Sequence, residues 1–121
     1  MATARRLAVC DDEPDFRAYV RKVAESMGYE VREIADPATC VDMVAEFRPE
    51  ILVLDIVMPG VDGIEIVKDL NRAKFSGRVI LASGYDPHYA SSAAVLGALN
   101  GIKTEIVPKP VRLADLKDKL A

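Results

Sequence analysis

Short apolar runs alternate with amphipathic segments along the whole chain. Leu7 to Cys10 reads as a first strand. From Asp15 to Met27 the apolar residues Phe16, Val20, Val23, Ala24 and Met27 recur at helical spacing, and Gly28 closes the helix. Glu30 to Ile34 is a second strand. Asp36-Pro37 marks a helix start, with the aspartate as N-cap and proline in the first helical position, and that helix runs to about Phe47. Ile51 to Asp55 is apolar at every position before its aspartate, the pattern of a central parallel strand covered on both faces. A loop, Pro59-Gly60-Val61-Asp62-Gly63, leads into a helix carrying Ile66, Val67 and Leu70. Val79 to Ala82 is a fourth strand. Asp86-Pro87 opens a helix that Asn100-Gly101 ends, and the more polar Ile102 to Val107 reads as an edge strand. Leu113, Leu116 and Leu120 mark a last helix.

Five strand–helix units in strict alternation predict an α/β fold, a doubly wound five-stranded parallel sheet with helices on both faces and right-handed crossovers. The expected strand order is 2-1-3-4-5. At 121 residues the chain has the length of one domain, spanning 1–121. Sixteen basic against 19 acidic residues, a net charge of −3, leave no basic face for a phosphate backbone, so direct nucleic-acid binding is not expected. The most apolar run is broken by Asp55 and Pro59-Gly60 and is far too short for a membrane span. The apolar stretch near the N-terminus is too short for a signal peptide. A cytoplasmic protein is therefore expected, with Cys10 and Cys40 as buried reduced thiols. With a single histidine, His88, and no metal-type cysteine spacing, a zinc site has no support.

Sheets of this kind bind ligands beyond the carboxyl ends of their strands, at the switch in strand order. Strand one ends in Asp11-Asp12-Glu13, strand three in Asp55, strand four in Ser83-Gly84, and strand five leads into Pro108-Lys109-Pro110. Adjacent strands one and three bring three carboxylates to one pocket, which is costly unless a cation joins them. An all-oxygen donor set favours a hard ion, Mg²⁺ or Mn²⁺. Lys109 faces the acids from the far side and Ser83 offers a hydroxyl between. A carboxylate nucleophile, a divalent ion, a lysine and a hydroxyl are the parts of a phosphoryl-transfer site, with Asp55 as the nucleophile. Glu13 is read as a solvated turn residue.

Four segments carry a family resemblance: Val9-Cys-Asp-Asp-Glu-Pro14, Leu52-Val-Leu-Asp-Ile-Val-Met-Pro-Gly-Val-Asp-Gly63, Leu81-Ala-Ser-Gly84 and Pro108-Lys-Pro110. All four in order, each at a strand end, resemble the response-regulator receiver domain of bacterial two-component signalling, over essentially the whole length. The resemblance implies a flavodoxin-like fold in which Asp55 accepts phosphate from a histidine kinase or phosphotransfer protein. It implies that Asp12, Asp55 and the backbone carbonyl of Val57 ligate Mg²⁺, with Asp11 acting through water. It also implies that Ser83 and Lys109 hold the phosphoryl oxygens and that the Lys109-Pro110 bond is cis. Such a module is no enzyme beyond its own phosphorylation and dephosphorylation; it signals to a downstream protein or to an output domain missing from this chain. Two departures stand out. The family's aromatic switch position is Ile106 here, and the Ser83 to Lys109 stretch is longer than usual, with an alanine-rich helix.

Rival readings have less in their favour. A metal-dependent phosphatase using an aspartyl-phosphate carries its nucleophile in a DxD motif on strand one, where this chain has adjacent acids. A nucleotide- or flavin-binding module wants a Gly- or Ser/Thr-rich phosphate loop after strand one, and acids stand there instead. A phosphorylation-independent docking module would have no use for the complete acid, hydroxyl and lysine set.

Overall fold

The computed structural model describes residues 5–55, 57–58, 61–83 and 102–121, with side chains at all of these except 57, 58, 61–64 and 83. Five parallel strands form one sheet: β1 (Arg5–Cys10), β2 (Tyr29–Ile34), β3 (Ile51–Asp55), β4 (Arg78–Ser83) and β5 (Lys103–Pro108). Their order is 2-1-3-4-5, as the alternation predicted. The register is continuous, pairing Cys10 with both Ile34 and Leu54, Asp55 with Ala82, and Ala82 with Val107. The carboxyl ends of the strands therefore lie level.

Every inner strand is buried on both faces, and residue parity sorts its side chains into two cores. Ala8, Cys10, Leu52, Leu54, Val79 and Leu81 pack under α2 (Cys40–Phe47) and α3 (Gly63–Arg72). Leu7, Val9, Ile51, Val53, Ile80 and Ala82 pack under α1 (Pro14–Ser26) and the last helix (Leu113–Leu120). Asp11, Asp55 and Lys109 continue the second set, each two positions beyond a residue of that core: Val9, Val53 and Val107.

Local signals mostly read true. Gly28 ends α1 at φ +94°, a conformation that costs a residue without a side chain little. The Asp36 side chain caps the N–H of Ala38 at 2.9 Å with Pro37 behind it, although the first turn is a 3-10 segment, Pro37–Thr39, before α2 begins. The loop expected after Asp55 contains a short antiparallel pair, Val57–Met58 with Val61–Asp62. The helix expected from Asp86 to Asn100 lies outside the described residues.

Gly77 joins the entrances of β3 and β4. A Cβ there would stand 2.6 Å from the Glu50 carbonyl oxygen and 2.6 Å from Phe75 Cζ. That carbonyl is held by the Arg78 N–H at 2.8 Å and cannot easily retreat. Gly77→Ala is expected to destabilise the fold by about 1–3 kcal/mol, as overpacking does. Thermal unfolding would show it; an unchanged melting temperature would mean that this backbone yields.

Candidate functional site

The level strand ends, together with shared parity, deliver Asp11, Asp55 and Lys109 to one place. Asp11 is fully buried and Asp55 is 5% exposed, the two buried charged residues among those described. Asp12 and Glu13 are exposed at the rim. One oxygen from each of these four carboxylates lies within 4.8 Å of the others, so the predicted convergence is present and has a fourth member.

Lys109 Nζ donates to Asp11 Oδ2 at 2.7 Å, to Glu13 Oε1 at 3.1 Å and to Asp55 Oδ2 at 3.3 Å. It also stands 4.4 Å from the centre of the Phe16 ring, a cation–π contact. Burial is the largest influence on this ammonium and pulls its pKa down. The hydrogen bond to Asp11, the fields of Asp55 and Asp11 and the bond to Glu13 together outweigh it, pushing the pKa up to about 12. Lys109 is therefore a permanent positive charge in the pocket at neutral pH.

The backbone around the site is fixed from several sides. Asp11 Oδ1 accepts the N–H of Glu13 at 2.8 Å, which tightens the turn from β1 into α1. Arg17 Nη1 donates to the Asp11 carbonyl at 2.7 Å, and its Nε reaches Glu33 at 3.3 Å. The Tyr19 hydroxyl donates to the Val111 carbonyl at 3.0 Å, anchoring the segment after Lys109 to α1. The Lys109-Pro110 bond is cis, as the resemblance implied. Beneath the acids, Cys10 is buried against Cys40. A hydrogen bond to Cys40, burial and the fields of Asp11 and Asp55 all push its thiol pKa up, so Cys10 is a neutral packing residue, as expected.

Of the residues singled out from sequence, the structure brings together Asp11, Asp12, Asp55 and Lys109. Ser83 ends β4 opposite Pro108, with its hydroxyl outside the described atoms, and Val57 pairs with Asp62 in the short hairpin. Ile106 lies on β5 and is 38% exposed. Glu13 is corrected: its backbone makes the expected turn, but its carboxylate joins the lysine. Phe16, read only as one apolar position of a helical stripe, also faces the ammonium. Glu13 stands next to the acid pair, and that adjacency was its signal; Phe16 gave none.

No helix among the described residues is long and apolar enough to cross a membrane. The family model for the response regulator receiver domain matches residues 7–121. Protein-glutamate methylesterase/protein-glutamine glutaminase 5 of Myxococcus xanthus is 36% identical over 113 residues, covering 90% of this chain and 31% of that protein. Response regulator MprA of Mycobacterium avium is 30% identical over 111 residues, covering 92% of this chain and 47% of that protein. The chain thus spans less than half the length of either relative. A response regulator protein from Burkholderia pseudomallei, solved with a phosphorylated aspartic acid, a calcium ion and citrate, superposes with a TM-score of 0.79 at 19% identity. That match covers 97% of this chain and 66% of that one. With the family model matching residues 7–121, which include the acid–lysine pocket at the carboxyl ends of the strands, this chain belongs to the response-regulator receiver domain family.

Proposed function

We propose that this receiver domain is a phosphorylation-controlled signalling module whose phosphoacceptor is Asp55. One juxtaposition carries the reading: Asp55 ends the most buried strand, with Lys109 Nζ 3.3 Å from its Oδ2 and the acids of β1 alongside. A carboxylate needs neither deprotonation nor a base to act as a nucleophile. Its oxygen attacks phosphorus as the nitrogen–phosphorus bond of a phosphohistidine breaks, and the departing imidazole nitrogen takes a proton from solvent water. The donor would be a histidine kinase or a phosphotransfer protein. Lys109 and the Ser83 hydroxyl would each donate to phosphoryl oxygens, neutralising charge that develops there. Drawing Ser83 inward would carry the change into the residues that follow and alter a surface read by a downstream protein or an output domain. The chemistry stays confined to the domain's own phosphorylation and dephosphorylation.

The donor set fits Mg²⁺, with Mn²⁺ an acceptable substitute: among the described residues it is four carboxylates, with no imidazole and no exposed thiol. Asp12, Asp55 and the Val57 carbonyl would hold the ion, with Asp11 reaching it through water. When bound, the ion supplies positive charge to the phosphoryl oxygens. A protein of the same fold, from Burkholderia pseudomallei, was solved with a phosphorylated aspartic acid and a calcium ion.

Acetyl phosphate with Mg²⁺ should add one phosphoryl group, seen by intact mass, and peptide mapping should place it on Asp55. No incorporation, or a phosphoryl group elsewhere, would overturn the reading. Mg²⁺ should also raise the melting temperature, because a ligand at ten times its Kd adds about 1.4 kcal/mol. Asp12→Ala should lose that rise; a full response to Mg²⁺ in the variant would place the ion elsewhere.

A further inference from the structure

We infer that Glu13 is a removable third partner that occupies Lys109 until the phosphoryl group arrives and so restrains the phosphotransfer. The inference rests on the phosphoacceptor reading above. A lysine ammonium has three N–H donors and no acceptor. Three carboxylates stand within reach of Lys109 Nζ, at 2.7, 3.1 and 3.3 Å, so its donors are fully used. A phosphoryl group brings three further strong acceptor oxygens. For Lys109 to serve one of them, one present partner must let go.

The three partners differ in what release would cost. Asp11 is fully buried and its second oxygen is already committed to the Glu13 N–H, so losing the lysine would strand a buried charge. Asp55 is the group being phosphorylated and keeps the lysine close throughout. The Glu13 side chain is 64% exposed and can return to water, where an exposed ion pair is worth little. The charge of the incoming phosphoryl group pushes in the same direction. Glu13 is therefore the partner exchanged, and until the exchange it competes with the phosphoryl oxygens for Lys109.

The two variants that test this keep the site's packing. Glu13→Gln preserves size and removes the charge. Glu13→Asp preserves the charge but shortens the reach by one methylene, out of hydrogen-bond distance. Glu13 is the exposed residue before α1 and its side chain caps no helix N–H, so neither change threatens folding. Both variants should be phosphorylated by acetyl phosphate at Mg²⁺ saturation about threefold to fivefold faster than the wild type, the size of one exposed ion pair. Both should bind beryllofluoride more tightly by a similar factor. If only Glu13→Gln is faster, the effect is the general field of the carboxylate and the exchange is rejected. If neither is faster, Glu13 does not compete for Lys109 and the inference falls, while phosphorylation of Asp55 in all three proteins would leave the underlying reading intact. A wild type that takes up no phosphoryl group at Asp55 would instead overturn that reading.

Discussion

Lys109→Met is expected to destabilise the Mg²⁺-free protein by about 3 kcal/mol, at the lower end of what removing one partner from a buried ion pair costs. Among the described residues, Lys109 is the cation bonded to Asp11 and Asp55, whose side chains are 0% and 7% exposed. Without it both carboxylates stay in the pocket with the lysine's charge removed, and the rim acids Asp12 and Glu13 add to the repulsion. The lower end applies because the pocket opens at the strand ends and Glu13 can turn to water. Methionine retains the aliphatic stem and can still pack on Phe16, so the change isolates the charge. For a domain of this size the melting temperature should fall by roughly 10 °C.

The same variant should respond to Mg²⁺ more strongly than the wild type, since an ion then meets four carboxylates with no resident cation competing. Unfolding followed with a chelator and again with millimolar Mg²⁺ checks both statements. Equal stability of the two proteins in chelator would show that the lysine holds no structural charge balance. The lysine's pKa is raised in the fold from 10.5 to about 12. Its contribution to stability is therefore complete below pH 10.5 and lost as the pH rises through about 12, where the two proteins should converge.

The strands were readable because a doubly wound sheet buries its inner strands on both faces, which writes runs such as Ile51 to Leu54 into the sequence. The site was readable for a related reason. A charged residue directly after such a run has no packing explanation, so Asp11-Asp12 and Asp55 stood out before any geometry was known. The convergence itself followed from strand order. What the sequence did not supply was its exact geometry, since Asp11, Asp55 and Lys109 share a face because the β1–β3–β4–β5 register is level. Register is a pairwise property and no single strand encodes it. Glu13 and Phe16 were missed because their local roles, turn and helix stripe, were sufficient explanations in themselves. Both contacts arise only when a lysine 96 positions after Glu13 folds over them. The short hairpin after Asp55 was missed because Pro59-Gly60 dominated the reading of that loop.

Asp55→Asn should reduce phosphoryl incorporation from acetyl phosphate to background, because an amide is not a nucleophile toward phosphorus. The same substitution should make the Mg²⁺-free protein more stable, the opposite sign to Lys109→Met. Among the described residues, Asp55 faces three like charges within 4.8 Å and one opposite charge at 3.3 Å. At an effective dielectric constant of about 20, each pair of unit charges 4 Å apart is worth about 4 kcal/mol, so three repulsions outweigh one attraction. Asp12 and Glu13 are exposed and screened, which reduces the net gain to roughly 1–2 kcal/mol. Asparagine is nearly isosteric, and its amide oxygen can still accept from Lys109, so the lysine keeps an acceptor there. Mg²⁺ should narrow the gap, since the variant has lost a ligand while the wild type gains the ion's charge. Labelling by intact mass and melting curves with and without Mg²⁺ separate the two effects. Undiminished labelling would remove Asp55 as the acceptor. A variant less stable than the wild type in chelator would mean that the pocket's acids are better neutralised by Lys109 than the charge count allows. Loss of labelling together with a gain in stability is the result expected of a site in which repulsion between carboxylates is held in place for function.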